Sequence, residues 1–165
     1  MIRTVWFMAF AMVLQSCSLL EDPYCRDLES TLKTLIEELG IPNMTPGPHE
    51  RSEGKQAQIL KKLEDLGKPA MPFIVKYMDD RRLLPYQYMA LENKFYKTWE
   101  TYRQYLPLKV VDALAGVLGQ IISLELTPIY HNGRNTTENE RDKAVAVWRD
   151  YLRYSKDSYP CHRGD

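Results

Sequence analysis

Apolar side chains recur along this chain at steps of three and four, and nowhere do they alternate with a period of two over a strand's length, so helices have to build its core. Asp22-Pro23 reads as a cap followed by a first helical position. Leu28, Leu32, Leu35, Ile36 and Leu39 then share a face, with Cys25 on it, until Gly40 stops the helix. Residues 41 to 54, with Pro42, Pro46, Gly47 and Pro48, carry no core-forming pattern and read as a loop. A second helix is expected from near Ser52 to Leu66. Its stripe is Ile59, Leu60, Leu63 and Leu66, its charged side is Lys61, Lys62, Glu64 and Asp65, and Gly67 ends it. Pro69 and Pro72 suit the first turn of a third helix, where amides have no intrahelical acceptor to lose; Met71, Ile74, Val75 and Met78 occupy one side and Phe73 and Tyr77 another.

The later half continues the pattern with one interruption. Residues 86 to 105 hold Tyr86, Tyr88, Phe95, Tyr96, Trp99, Tyr102 and Tyr105 among charged residues, and their spacing is read as helical. Pro107 opens a further helix with the arc Val110, Val111, Leu114, Val117, Leu118 and Ile121, while Gly116 and Gly119 lie opposite, where a second packed layer would account for them. Pro128 and Asn132-Gly133 mark a loop. Thr137 with Glu140 forms a capping box for a last helix that buries Ala144, Trp148, Tyr151 and Leu152 and exposes Arg141, Lys143, Arg149 and Asp150. The fold class is therefore all-α.

The first residues say where such a fold works. Arg3, an unbroken apolar run from Thr4 to Leu14 and then Gln15-Ser16-Cys17 make a short positive head, an apolar core and a small residue before a cut, the pattern of an export signal. Leu14-Gln15-Ser16-Cys17 resembles the lipobox of bacterial lipoproteins, which implies that the new amino-terminal Cys17 carries acyl chains. The chain then divides into a signal peptide over 1–17, a tether over 18–23, a helical domain over 24–155 and a tail over 156–165. Ser18 follows the anchor cysteine, and in that family aspartate there holds proteins at the inner membrane, so the resemblance implies the outer membrane facing the periplasm. Once Cys17 is acylated, Cys25 and Cys161 remain as an even pair in an oxidising compartment, and a bridge between them ties the two ends of the domain together.

The segment Ile59-Leu60-Lys61-Lys62-Leu63-Glu64-Asp65-Leu66-Gly67-Lys68-Pro69-Ala70-Met71-Pro72-Phe73-Ile74 resembles a HEAT-type repeat, in which a helix ends at Gly, Pro-Ala follows and a second helix returns. The later Val110-Val111-Asp112-Ala113-Leu114, Gly119-Gln120-Ile121, Tyr130-His131-Asn132-Gly133 and Glu140-Arg141-Asp142-Lys143-Ala144 look similar to segments of exported bacterial proteins with HEAT-like repeats. The resemblance covers roughly residues 55 to 154 and implies stacked antiparallel helix pairs forming a superhelix with a surface for protein partners. Stacking about three such pairs, about six helices, buries faces that one pair cannot bury alone. A compact helical bundle is the alternative, favoured by a bridge between the chain ends.

Basic and acidic side chains balance at 22 each, so the concentrated positive surface that nucleic acid requires is missing. His49, His131 and His162 are scattered, with no metal-ligand spacing, and no nucleophile elbow, phosphate loop or dinucleotide fingerprint occurs. Neither a cofactor nor a metal is expected, and no catalytic motif is found. An envelope hydrolase would have to use His131 or the acid pair Glu138 and Glu140. Asn43-Met44-Thr45 and Asn135-Thr136-Thr137 match a glycosylation acceptor and keep a secreted protein without a lipid anchor as the alternative. The best candidate for a recognition surface is Tyr86, Tyr88, Trp99, Tyr102 and Tyr105, because tyrosine and tryptophan give large contact areas with polar tips; the competing reading of the same rings is core packing. Together these readings point to a membrane-anchored helical protein that binds a protein partner in the cell envelope.

Overall fold

The structure, a computed structural model, describes residues 22–40, 52–95, 99–127, 132–155 and 159–161. Helix α1 spans Pro23–Leu39, capped by the Asp22 side chain, which accepts from the Tyr24 amide at 3.0 Å. Helix α2 spans Ser52–Asp65 and ends at Gly67, whose φ of 66° is a left-handed conformation that a side chain would penalise. A 3-10 turn over Lys68–Ala70 leads into the short α3, Met71–Lys76. Helix α4 spans Val110–Ile122 and α5 spans Glu138–Tyr154, the latter opened by the Thr137–Glu140 capping box expected from the sequence.

Helix α4 is the hub. Every residue from Val110 to Gln120 is buried, Gly116 and Gly119 included, so the second layer anticipated from those glycines is present. A helix apolar all round has to be enclosed, and α2 and α3 cover it on some sides while α5 and the strand described below cover others. Fully burying a leucine such as Leu114 or Leu118 contributes roughly 1.5–3 kcal/mol, so this one element is a large contributor to the core's cohesion. Helices α1 and α2 lie antiparallel: Lys55 at the start of α2 pairs with Glu38 at the end of α1.

None of the described residues between 86 and 105 is helical. They form an antiparallel hairpin of β1, Met89–Glu92, and β2, Tyr102–Tyr105, in the register Met89↔Tyr105, Ala90↔Gln104, Leu91↔Arg103 and Glu92↔Tyr102. Met89, Leu91 and Tyr105 face the core, while Glu92, Tyr102 and Gln104 face out. Four residues per strand give two alternations each, too few to stand out from a background of helical spacings. The molecule is thus mostly helical with a small sheet, and it is not a HEAT superhelix. The Gly67-Lys68-Pro69-Ala70 turn exists, but the helix returning from it has only the six residues of α3, and it packs against α1, α4 and α5.

One smaller expectation is also corrected. Arg141, read as exposed, is buried, because it projects from the first turn of α5 onto the start of α4, where Asp112 awaits it. In the segment read as a tail, Tyr159 and Cys161 are both buried.

Candidate functional site

The aromatic candidates separate by strand parity. Tyr105 points inward and is 1% exposed, so of the five it is a core residue. Tyr86 is half-buried where the chain enters the hairpin. Tyr102 is 63% exposed on the outer face, and Tyr88 and Leu106, one step beyond the last pair and opposite each other in the same register, are exposed on that face as well. Trp99 stands at the hairpin's tip, fully outside the sheet. The outer face therefore carries Tyr88, Tyr102 and Leu106 around Ala90 and Gln104, a patch of apolar area with hydroxyl tips.

What makes this patch a platform is the way it is held from behind. Gln56, buried on α2, acts as a strand substitute: its Nε2 donates to the Tyr86 carbonyl at 2.9 Å and its Oε1 accepts from the Tyr86 amide at 3.1 Å. At the other end of α2, Glu64 was expected on the charged side but its side chain is completely buried, with the Lys94 ammonium 2.7 Å from Oε1. The Lys94 amide donates to Gln120 Oε1 at 2.9 Å, and Gln120 in turn donates to the Tyr105 hydroxyl. Burial pushes the Tyr105 hydroxyl up to about 12, although the Gln120 bond and the Arg103 guanidinium pull the other way. Arg103 lies 4.3 Å over the Phe95 ring and binds Glu125 at 2.9 Å. The Leu106 carbonyl accepts from the Gly133 amide at 2.9 Å. The hairpin is thereby fastened to α2, to α4 and to the loop before α5, which reduces the ordering cost of presenting its outer face.

A second polar cluster lies at the start of α4. The Arg141 guanidinium grips Asp112 with Nε at 2.8 Å and Nη2 at 2.9 Å, and donates further to the carbonyls of Thr136 and Gly133. The same carboxylate accepts from the amides of Leu108 and Lys109. A Cβ on Gly133 would collide with Asp112 and with the Leu108 nitrogen, which is why glycine is needed there. With all five guanidinium N–H groups and both carboxylate oxygens engaged, this cluster is a fastening between α4 and α5.

Glu138 and Glu140 are exposed and not buried together. Lys109, with Arg141, holds Glu138 below the usual carboxylate range, and the Thr137 backbone and hydroxyl do the same to Glu140, so both are committed to the helix start as anions. Cys25 and Cys161 lie at disulfide distance, S–S 2.09 Å with Cα atoms 5.5 Å apart, joining the start of α1 to the chain's end. Such a pair suits an oxidising compartment. Cys17, the tether before Asp22, His49, His131 and His162 lie outside the described residues. Among the described residues no group of His, Cys, Asp or Glu gathers as a metal-holding set, and no helix is long and apolar enough to cross a membrane.

No protein-family model matches this chain, and no curated protein or solved structure does so either.

The pinning residues, Gln56, Glu64, Lys94 and Gln120, are not legible as such in the sequence. Glutamine and glutamate inside a helical stripe carry no mark of burial unless their distant partners are known.

Proposed function

We propose that this protein is a lipid-anchored, extracytoplasmic module that binds another protein of the cell envelope through the outer face of the β1–β2 hairpin. The observation that carries this reading is the exposure of Tyr88, Tyr102 and Leu106 on a hairpin whose backbone is hydrogen-bonded to Gln56, Gln120 and Gly133. Tyrosines on a rigid support lose little side-chain entropy on contact and dominate many interfaces. The anchor rests on Leu14-Gln15-Ser16-Cys17, and Ser18 favours the outer membrane facing the periplasm. The Cys25–Cys161 pair is in keeping with that compartment. A secreted form lacking the acyl group is the alternative address for the same surface.

A photo-crosslinking amino acid at Tyr102 in the native envelope should capture one dominant protein neighbour, whereas the same probe at Lys143, exposed on α5, should not. Tyr88→Ala with Tyr102→Ala should weaken that association by about tenfold or more while the helical content stays intact. Equal, diffuse labelling from both positions would remove the hairpin as the recognition surface.

A further inference from the structure

One end of the molecule gathers the exits of most of its elements. α1 begins there, joined by Cys25 to Cys161 near the chain's end. α2 ends there, since Glu64 in its last turn meets Lys94, and α4 ends there, since Gln120 binds the Lys94 amide. The hairpin's tip lies at the same end, because the loop between β1 and β2 starts at Lys94. Helix α5 finishes there too, since its first turn is bound to the start of α4 through Arg141 and Asp112 while the chain beyond it reaches Cys25. At the opposite end lie the α1 carbonyls of Ile36 and Glu37 that Arg82 caps, and the start of α4.

The first end carries an unusual set of exposed side chains. Trp99 at the hairpin's tip is 91% exposed and Tyr154 in the last turn of α5 is 86% exposed; Tyr24 in the first turn of α1 and Leu124 just past α4 are exposed as well. They come from four separate elements, so no single amphipathic pattern produces them. The charged groups around them are of both signs: Lys61 pairs with Asp65, Lys94 with Glu64, Arg103 with Glu125 and Arg153 with Asp150, while exposed Arg26, Lys62 and Lys68 are matched in number by exposed Asp22, Asp27 and Glu100.

We infer that this end, through Tyr24, Trp99, Leu124 and Tyr154, seats the domain directly on the surface of the bilayer that holds its anchor. The inference rests on the proposed acylation of Cys17. Only Ser18–Asp22 separate that cysteine from α1, and an extended chain of this length reaches at most about 18 Å. The anchor enters at the end where α1 begins, so the face bearing Trp99 and Tyr154 is the one the tether holds nearest the lipid. Tryptophan and tyrosine prefer the headgroup level, where a ring can be dry while its polar tip stays wet. Balanced charges without a cationic excess give no reason to require anionic lipid, so the surface recognised is a zwitterionic one. Seated this way, the hairpin stands on its tip with the face of Tyr88, Tyr102 and Leu106 turned sideways toward the aqueous space.

The test uses the acylated protein reconstituted in phosphatidylcholine–phosphatidylethanolamine vesicles. After removal of the leader its tryptophans are Trp99 and the fully buried Trp148, so bromine placed high on the acyl chains reports on Trp99. The expected result is quenching of a large part of the emission by brominated lipid, loss of that quenchable part in Trp99→Phe, and little quenching of Trp99 by aqueous iodide. Tyr154→Ala with Leu124→Ser should restore iodide access. Protein that floats with the vesicles while Trp99 stays open to iodide and untouched by bromine would overturn the seating and leave the anchor standing. Protein that fails to float would overturn the anchor and the seating with it.

Discussion

Asp112 and Arg141 show how much depends on single side chains in a domain built around one enclosed helix. Their pairing is buried and bidentate, and Arg141 also satisfies two carbonyls of the loop that precedes α5. Removing one partner strands the other charge without water, so Arg141→Ala should lower unfolding stability by about 3–5 kcal/mol in denaturant titration, and Arg141→Met with Asp112→Leu should recover much of that loss. The neighbouring Thr137–Glu140 capping box is written in the sequence because its two members are three residues apart. Arg141 is not: its partner is 29 residues away, and an arginine on a helix otherwise reads as solvent-facing. Tyr105 gives a pH signature. Its hydroxyl ordinarily titrates near 10 and is pushed to about 12 by burial, so across that window the unfolded chain releases a proton that the folded chain keeps. Stability should therefore fall as pH rises from about 10 to 12, with buried Tyr159, shifted in the same direction, adding to the slope. Tyr105→Phe should flatten that slope in urea titrations run at successive pH values.

At the scale of elements, the helices follow from local signals and the hairpin follows from tertiary ones. Asp22-Pro23, Gly40, Gly67 and the capping box place the ends of α1, α2 and α5 within a residue or two of their observed limits. The aromatic run from 86 to 105 has comparable apolar content, but its conformation is decided by groups on other elements, chiefly Gln56 on α2 and Gln120 on α4. This gives a direct check on what holds the candidate surface. Gln56→Leu fills a similar volume but leaves the Tyr86 amide and carbonyl without that partner, a loss of about 1–3 kcal/mol for a buried group. Amide exchange at Tyr86 should accelerate strongly in that variant while the α5 amides stay protected. Equal acceleration in both would mean that Gln56 supports the whole core and not the hairpin in particular. The split of the aromatic candidates, with Tyr105 in and Tyr102 out, follows from the strand register, which no local spacing encodes.

For the whole molecule, the helical class and the pairing of the chain's two ends are legible from period and cysteine parity, while the stacking is not. A superhelix of repeats needs return helices long enough to pair, and α3 is too short, so the elements close around α4 instead. The Cys25–Cys161 link spans 136 positions. Closing so long a loop restricts the unfolded chain strongly, and Cys25→Ser with Cys161→Ser should cost about 3–5 kcal/mol by chemical denaturation. A reductant should produce the same loss in the native chain and no further loss in the double variant. The architecture, the exposed hairpin face and the aromatic end all acquire their meaning from one claim: the domain lives outside the cytosol, held by acylated Cys17. The most direct measurement is the intact mass of the protein extracted from membranes. The expected species is a polypeptide beginning at Cys17, heavier by its acyl chains and lighter by the two hydrogens of one disulfide. A soluble cytosolic product still beginning at Met1, with Cys25 and Cys161 open to alkylation, would contradict it.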